Sequence, residues 1–273
     1  MFYKAITAFL YTFVFFILSL AQVVAHEGEE HIETVRTLAE EAFYRKSSLV
    51  AIGFAAAFVT IAVSIATLHK TATESVKKIL FTLIVMPIVL ATIYLAGSTV
   101  YLNLSSSSKG PVHWHADFEI WDCGKKVDLI DPKGLSNRVG TSTFHEHGDN
   151  RIHVEGVVSD EHDANLGNFF KFVGGELHKN HFMIPTTEGA LNRSNGDSCN
   201  NQPGTVQVFA YKTHGSEFSQ NKLEDPPKHI LAPYGNVPPG DCLIVEFDVV
   251  KERTDHLCDF YKLAIEQGKI HGP

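Results

Sequence analysis

Three long apolar stretches dominate the first 104 residues, and no stretch of comparable length follows them. They run from Ala5 to Leu20, from Leu49 to Leu68 and from Ile79 to Leu102. The second and third contain no charged residue and are each long enough to cross a bilayer as a helix. Pro87 in the third is tolerated within a membrane helix. The pattern therefore predicts two transmembrane helices, at 49–68 and 79–102.

The first apolar stretch has the features of a secretory signal peptide. Lys4 precedes it, and the small residues Val23 and Ala25 suit a cleavage site just before His26. We therefore predict a signal peptide at 1–25, and an uncleaved signal anchor is the alternative. Cleavage there would give His26 a free amine beside its ring, a pair that can chelate copper with His31 nearby. The alternative is that 26–48 is an ordinary acidic segment outside the cytoplasm.

The loop between the two predicted helices sets their orientation. Residues 69–78 are few and include Lys70, Lys77 and Lys78, and short basic loops stay in the cytoplasm. The chain would then return through the second helix, continue through a short linker at 103–110, and place 111–273 outside the cytoplasm. We predict a two-pass protein of the cell membrane with a histidine-rich carboxy-terminal domain.

Beyond residue 110 the apolar positions alternate in short runs, which is typical of half-buried strands. The clearest run spans His113 to Ile120, and a turn at Cys123–Lys125 predicts a hairpin with a strand at 126–130. Residues 131–148 are polar and rich in glycine, which indicates a long loop. The remaining predicted elements are strands at 151–155, 181–184, 205–212 and 242–250 and helices at 165–173 and 254–267.

This order of elements predicts an α+β fold like the β-grasp, a mixed sheet with one short packed helix and a C-terminal helix. The apolar face of the sheet would cover the helix at Leu166. The other face would be open. If the strand at Arg151 neighbours the first strand, that open face carries six polar residues together: His113, His115, Asp117, Glu119, His153 and Glu155.

Charge bears on the expected partners of the protein, and cysteine content bears on its compartment. The formal net charge is −8, and no sustained basic patch occurs, so nucleic acid is not expected as a partner. All four cysteines (Cys123, Cys199, Cys242 and Cys258) lie in the domain predicted to be outside the cytoplasm, where an even count indicates two disulfides. The sequence leaves all three pairings open.

Histidines and one carboxylate in this domain have spacings that suit a metal ion. Imidazole-rich sites bind zinc or copper, and residues two apart on a strand point the same way. Asp117 or Glu119 could assist or orient a ring. Without a metal, these would be solvated residues of a polar sheet face. The predicted ligands are His113, His115, His145, His147, His153 and Glu155.

Two resemblances add to this interpretation. The spacing His113-x-His115-x-x-x-Glu119 resembles part of the cupin metal motif, which implies a metal-dependent oxygenase or isomerase, although the cupin glycine pattern is not matched. The segments HWHADFEIW, RIHVEG and LGNFFKFVGGEL together resemble a group of uncharacterised membrane-anchored proteins of archaea and lesser-known bacteria. That similarity covers about 111–178 and implies an extracytoplasmic β-grasp-like domain without implying a reaction.

The sequence thus favours a membrane-anchored module that binds copper or zinc for metal handling or sensing. The main alternative is a non-catalytic structural or interaction domain of the cell envelope, with an envelope protein as partner and no metal. No G-x-S-x-G or phosphate-binding glycine motif occurs, and no catalytic residues or organic cofactor are predicted.

Overall fold

The computed structural model describes residues 35–68, 73–133, 135, 137–231 and 240–272. The predicted signal peptide at 1–25 and the copper-chelating possibility at His26 and His31 lie outside these residues. Within these residues there are four α-helices: α1 (Arg36–Leu68), α2 (Glu74–Ser105), α3 (Leu166–Phe172) and α4 (Asp259–Glu266). Single turns of 3-10 helix occur at Glu161–Asp163 and Pro226–Lys228.

Thirteen strands are present in the described part of the chain. In order they are β1 (Pro111–Asp122), β2 (Lys125–Val127), β3 (Val139–Gly140), β4 (Phe144–Glu146), β5 (Arg151–Val157), β6 (Glu176–Leu177), β7 (His181–Thr186), β8 (Gly189–Ser194), β9 (Ser198–Cys199), β10 (Gln202–Pro203), β11 (Thr205–His214), β12 (Glu217–Lys222) and β13 (Asp241–Asp248). The α+β class is confirmed.

Helices α1 and α2 are long and apolar enough to cross a membrane, each with a mean hydropathy of 2.5 over its most apolar window. They pack against each other, and the Tyr94 hydroxyl of α2 donates a hydrogen bond to Ser47 of α1 (2.6 Å). Thr73 caps α2 by accepting from the Val76 N–H. Most of their apolar side chains remain exposed, which is the surface that a bilayer would cover.

The first turns of α1 are tied to the sheet domain by buried hydrogen bonds. Thr37 is 1% exposed. Its N–H donates to Asp163 (2.7 Å), and its hydroxyl accepts from the Ser159 N–H (3.1 Å). One turn later, the Glu41 carboxylate accepts from the hydroxyls of Ser142 and Thr143 (2.5 and 2.6 Å). The sheet domain therefore holds α1 directly as well as through the chain.

The segment between α2 and β1 is also held to the domain. The N–H groups of Ser107 and Ser108 donate to the carbonyls of Ser159 and Val158 (3.1 and 3.2 Å). Because these bonds fix the backbone on both sides of Ser107, β1 starts at a set position relative to the end of α2.

The main sheet has the order β12-β11-β13-β1-β5-β4-β3, with β2 pairing with the end of β1. Strands β1 and β13 lie side by side in parallel, and the other pairs are antiparallel. The β1–β2 hairpin is confirmed, and β1 also pairs with β5, an adjacency that the sequence leaves open. That pairing brings the two histidine-bearing strands together.

The main core lies between one face of this sheet and α3. Phe118 of β1 packs edge-on against Phe169 of α3, with ring centroids 5.3 Å apart, and both are almost fully buried. Asn165 caps the start of α3 by accepting from the Asn168 N–H (2.7 Å). Burying each phenylalanine contributes about 1.5–3 kcal/mol, which fixes α3 against the sheet.

Helix α3 ends in a Schellman motif at its two glycines. The Gly174 N–H donates to the Lys171 carbonyl and the Gly175 N–H to the Phe170 carbonyl (3.2 and 2.8 Å). Gly174 has φ +88°, a conformation that favours glycine. The stop predicted at these glycines is confirmed.

A second core covers part of the face that was predicted to be open. It contains Tyr261 of α4 and the Cys242–Cys258 disulfide. As a result Asp117 and Glu119 are each only 1% exposed. The prediction that the whole polar face is open is therefore wrong, because α4 and its disulfide close its far end.

Two disulfides are present, as predicted, and the structure selects one pairing. Cys123 bonds to Cys199 and Cys242 to Cys258. The described residues include no free cysteine. Two disulfides suggest a domain outside the cytoplasm.

The stretch at 131–148 is not the uninterrupted loop that was predicted. It contains β3 and β4, and β4 pairs with β5 so that His145 lies on a strand. Separately, β6, β7 and β8 form a three-stranded sheet, of which only β7 was predicted.

Candidate metal centre

Three histidines form a row across three adjacent strands. In the register, His115 of β1 is directly opposite His153 of β5, and His145 of β4 is opposite the same His153 from the other side. Directly opposed residues share a face of the sheet. The ring centroids of His115 and His145 lie 4.7 and 5.3 Å from that of His153. His153 is thus the centre of the row.

The Glu155 carboxylate joins this row to His113. His113 is opposite Glu155 in the register, and its Nε2 lies 3.1 Å from Glu155 Oε1. The same carboxylate lies 3.9 Å from His153 Nδ1 and 4.0 Å from His145 Nε2. Glu155 therefore contacts or approaches three of the five predicted histidine ligands.

The remaining histidine, His147, lies just beyond β4 on the same face. Its ring centroid is 4.8 Å from those of both His145 and His153. Its Nδ1 donates to the Asn137 carbonyl (2.5 Å). A ring that donates from Nδ1 has its Nε2 lone pair free, the arrangement usual for a metal-binding histidine.

The donor atoms are spaced almost closely enough for metal coordination. The donors of His113, His115 and His153 lie within 4.8 Å of one another, and so do those of His145, His147 and His153. Bonds of 2.0–2.1 Å in a tetrahedral site place neighbouring donors about 3.3 Å apart. Side-chain shifts of roughly 1 Å would close either group around an ion.

Burial keeps the central rings neutral. Burial is the main cause, and the neighbouring His115 the second, of the lowering of the pKa of His153 to about 4. Burial likewise lowers the pKa values of His115 and His145. Neutral imidazole is the form that binds a metal ion. The three rings of the row are therefore ready to coordinate at neutral pH without first losing a charge.

His153 and His145 have buried nitrogens without a hydrogen bond. Both ring nitrogens of His153 and the Nδ1 of His145 lack a partner among the described residues. Buried polar atoms are almost always paired, and an unpaired one costs about 1–3 kcal/mol. Three such atoms in neighbouring rings are what a site built for a bound ion would show.

Asp149 is a further candidate ligand that the sequence did not reveal. Its Oδ2 lies 3.7 Å from His153 Nε2, on the side of the ring away from Glu155. The buried Glu146 carboxylate holds this turn by accepting from the N–H groups of Asp149 and Asn150 (2.6 and 3.2 Å). The one sequence signal was its position four residues before His153 in a tight turn.

Asp117 and Glu119 have structural partners. Asp117 accepts from Arg151 Nε (2.7 Å), and burial raises its pKa to about 6 despite this partner. Glu119 accepts from Trp121 Nε1 and Lys126 Nζ, each at 3.0 Å. The carboxylates near the histidines are Glu155 and Asp149 instead.

A separate, exposed group lies on the three-stranded sheet. Glu176 is 3.5 Å from His178 Nε2 and 4.0 Å from His181 Nε2, and these three could also hold an ion. In the sequence these three residues have the spacing Glu-x-His-x-x-His. His181 Nε2 already forms a hydrogen bond with Asn192 Oδ1 (2.9 Å). One of the three candidate ligand atoms of this exposed group therefore already has a partner.

A cavity of about 430 Å³ opens beside the cluster. Glu155 lines it together with Arg138, with Thr37 and Glu41 of α1 and with Leu102 of α2. The cavity thus lies between the histidines and the ends of the two apolar helices.

Comparison of the chain with protein-family models, with curated proteins and with solved structures finds no match.

Proposed function

We propose that this protein is a membrane-anchored module that binds copper or zinc outside the cytoplasm, for metal handling or sensing. The observation that carries the proposal is the row His115, His153 and His145, in register on three adjacent strands. The unpaired nitrogens of its central ring support it further. The donors of His113 and His147 each lie within 4.8 Å of two donors of the row, and the Glu155 carboxylate lies 3.1 Å from His113.

The proposed location is supported by the helices and the disulfides together. Two helices have the length and apolarity to cross a bilayer, and both disulfides lie in the domain that follows them. With the short basic loop in the cytoplasm, the cluster faces the oxidising side. It begins two residues into β1, close to the end of α2 and hence to the membrane surface.

Metal analysis of the full chain tests this function. The protein is purified in detergent without a histidine tag, with His178→Ala and His181→Ala so that the exposed group does not contribute. After equilibration with copper or zinc and gel filtration, we expect at least one tightly held equivalent by elemental analysis. Replacing the row by His115→Ala, His145→Ala and His153→Ala should remove it.

The matched control replaces three exposed histidines outside the cluster, His162, His214 and His271. This variant loses as many imidazoles as the row variant, and we expect it to retain its metal. A folded parent protein that takes up neither ion at micromolar concentration would overturn the proposal and leave the envelope interaction domain. Equal metal loss in both triple variants would also count against it.

The cavity beside Glu155 favours a metal-dependent enzyme as a second candidate function. A catalytic ion needs an open coordination position next to a space for substrate. The test is the visible spectrum of the cobalt-loaded protein on addition of azide. A spectral change would show an exchangeable position, whereas an unchanged spectrum would identify a closed binding site.

We further propose that the sheet domain is a β-grasp variant. The support is the order β5-β1-β13-β11-β12, with the first and last of these strands in the chain parallel at the centre. Helix α3 follows β5 and packs on one face, as the fold requires. Strands β2 to β4 and β6 to β10 are additions, and β4 supplies His145.

A further inference from the structure

We propose that the histidine cluster holds two metal ions bridged by the His153 ring, and this inference rests on the proposed metal-binding function. Each nitrogen of the His153 ring would bind one ion. Glu155 would complete the first coordination sphere, and Asp149 would complete the second.

The count of donors points to more than one ion. Five histidines and two carboxylates surround the centre, whereas zinc and copper sites of this kind use about four ligands. The donors fall into two groups of three that share only His153. One group takes His113 and His115 from β1, and the other takes His145 and His147 from β4 and its following turn. A single ion would leave several of these residues without a role.

Each nitrogen of the His153 ring has a carboxylate nearby but no hydrogen bond. Both nitrogens are buried and unpaired within the described residues. Nδ1 faces Glu155 Oε1 at 3.9 Å, and Nε2 faces Asp149 Oδ2 at 3.7 Å. A histidine that binds one ion normally donates its second N–H to a carboxylate or carbonyl at hydrogen-bond distance. The carboxylates of Glu155 and Asp149 are too far from the His153 nitrogens for that hydrogen bond. Each distance leaves room for an ion between nitrogen and oxygen.

Each ion would have four protein ligands. The first would have His113, His115, Glu155 and one nitrogen of His153, and the second His145, His147, Asp149 and the other nitrogen. Binding of the second ion releases the remaining N–H proton of His153 to solvent, so that the ring bridges as an imidazolate. With bonds of 2.0–2.1 Å on either side of the ring, the ions would lie about 6 Å apart.

Copper(II) alone serves as the probe, because an imidazolate bridge couples two copper spins. The full chain in detergent, again with His178→Ala and His181→Ala, is titrated with copper(II) at neutral pH. We expect two equivalents to bind. The electron paramagnetic resonance signal should integrate to about one spin at one equivalent, and to clearly fewer than two spins at two equivalents.

Two double variants separate the ions while leaving the bridge residue in place. Replacing His113 and His115 by alanine should leave one equivalent, with its full spin count. Replacing His145 and His147 by alanine should do the same. His113 is largely exposed, so the first variant should fold even if loss of the buried His145 impairs the second.

Replacing His153 by alanine tests the bridge itself. Whatever copper this variant binds should give its full spin count, since no ring couples the ions. One equivalent of copper in the parent protein, or two equivalents with two full spins, would overturn the bridged pair while leaving the proposed function intact. No copper binding would overturn the bridged pair, and no zinc binding either would overturn the proposed function as well.

Discussion

The imidazole ring of His256 lies flat on the indole of Trp121, with ring centroids 3.5 Å apart and planes 8° apart. Burial, which outweighs the carboxylate of Glu246 at 3.6 Å, lowers the pKa of His256 below its usual 6.5. The folded protein therefore favours the neutral ring. The neutral His256 ring contributes fully to the free energy of unfolding above pH 6.5. That contribution is lost as the pH falls through the lower pKa that His256 has in the folded state.

Fluorescence can measure this titration directly. Trp114→Phe leaves Trp121 as the single tryptophan, since the chain contains two. A protonated imidazole quenches a stacked indole, so we expect the fluorescence to fall with a midpoint below pH 6.5. His256→Gln in the same background should remove the transition. A midpoint at or above 6.5 would contradict the shift.

Replacing His153 by leucine should stabilise the metal-free protein while weakening metal binding. Leucine removes two buried, unpaired nitrogens, each of which costs about 1–3 kcal/mol. We expect the free energy of unfolding of the chelator-treated protein to rise by about 1 kcal/mol. Chemical denaturation followed by circular dichroism measures it.

His113→Leu is the control for that experiment. The His113 side chain is 60% exposed and already pairs with Glu155, so leucine there should bring no gain in stability. If His153→Leu instead destabilised the metal-free protein, the unpaired nitrogens of His153 would not destabilise the folded state as proposed.

Gly140 is expected to control metal affinity through the position of β4. It has φ +115°, and a Cβ there would lie 2.3 Å from the Phe144 carbonyl oxygen and 3.0 Å from the His145 Cα. Gly140→Ala would therefore push β4, and with it His145, away from the cluster. We expect copper affinity to fall by about tenfold or more, measured by competition with a chelator of known affinity.

Gly189→Ala is the control that separates displacement of β4 from backbone strain at a glycine with positive φ. Gly189 has φ +126°, but a Cβ there would meet nothing within 4 Å. Both alanines pay for an unfavourable backbone conformation, and only the one at 140 collides with a strand of the cluster. Copper affinity of Gly189→Ala should remain within about twofold of the parent, and a similar loss in both variants would reject the explanation.

The two disulfides should differ in their accessibility to a reductant. Cys199, Cys242 and Cys258 are each at most 1% exposed, whereas Cys123 is partly exposed and gives a reductant access to the Cys123–Cys199 bond. Brief treatment with dithiothreitol, followed by alkylation and peptide mass spectrometry, should label Cys123 and Cys199 first. Earlier labelling of Cys242 and Cys258 would show that the second core opens more readily than its burial implies.

Removing the buried disulfide should also be costly. It closes a loop with a sequence separation of 16, for which loop entropy predicts about 3 kcal/mol. The Cys242→Ala, Cys258→Ala protein should lose roughly that much stability, because the cross-link no longer restricts its unfolded chain.

The strands with clear alternation could be predicted from sequence, and so could their polar face. Trp114 to Ile120 and Ile152 to Val154 alternate strictly, and they form β1 and β5 as neighbours. Strand β4 was missed because three residues are too few to show a period. Without β4, the sequence gives no indication that His145 is directly opposite His153.

Which part of the polar face is covered could not be predicted. Asp117 and His115 are two residues apart on the same strand, and nothing in their neighbourhood in the sequence distinguishes them. Asp117 is buried because Phe260 of α4 lies over its partner Arg151, at 3.6 Å from the guanidinium carbon. That contact joins residues more than a hundred positions apart, which a local pattern does not reveal.

The attachment of α1 to the domain has a mechanical consequence. Thr143 accepts from the Glu155 backbone N–H through its carbonyl (2.9 Å), and its hydroxyl donates to Glu41 of α1. A single residue thus connects the strand that carries Glu155 with a helix of 33 residues, about 50 Å long. At that length the helix is a lever arm. A tilt of about 2° at Glu41, the residue that Thr143 holds, would move the far end of the helix, about 40 Å away, by roughly 1.4 Å.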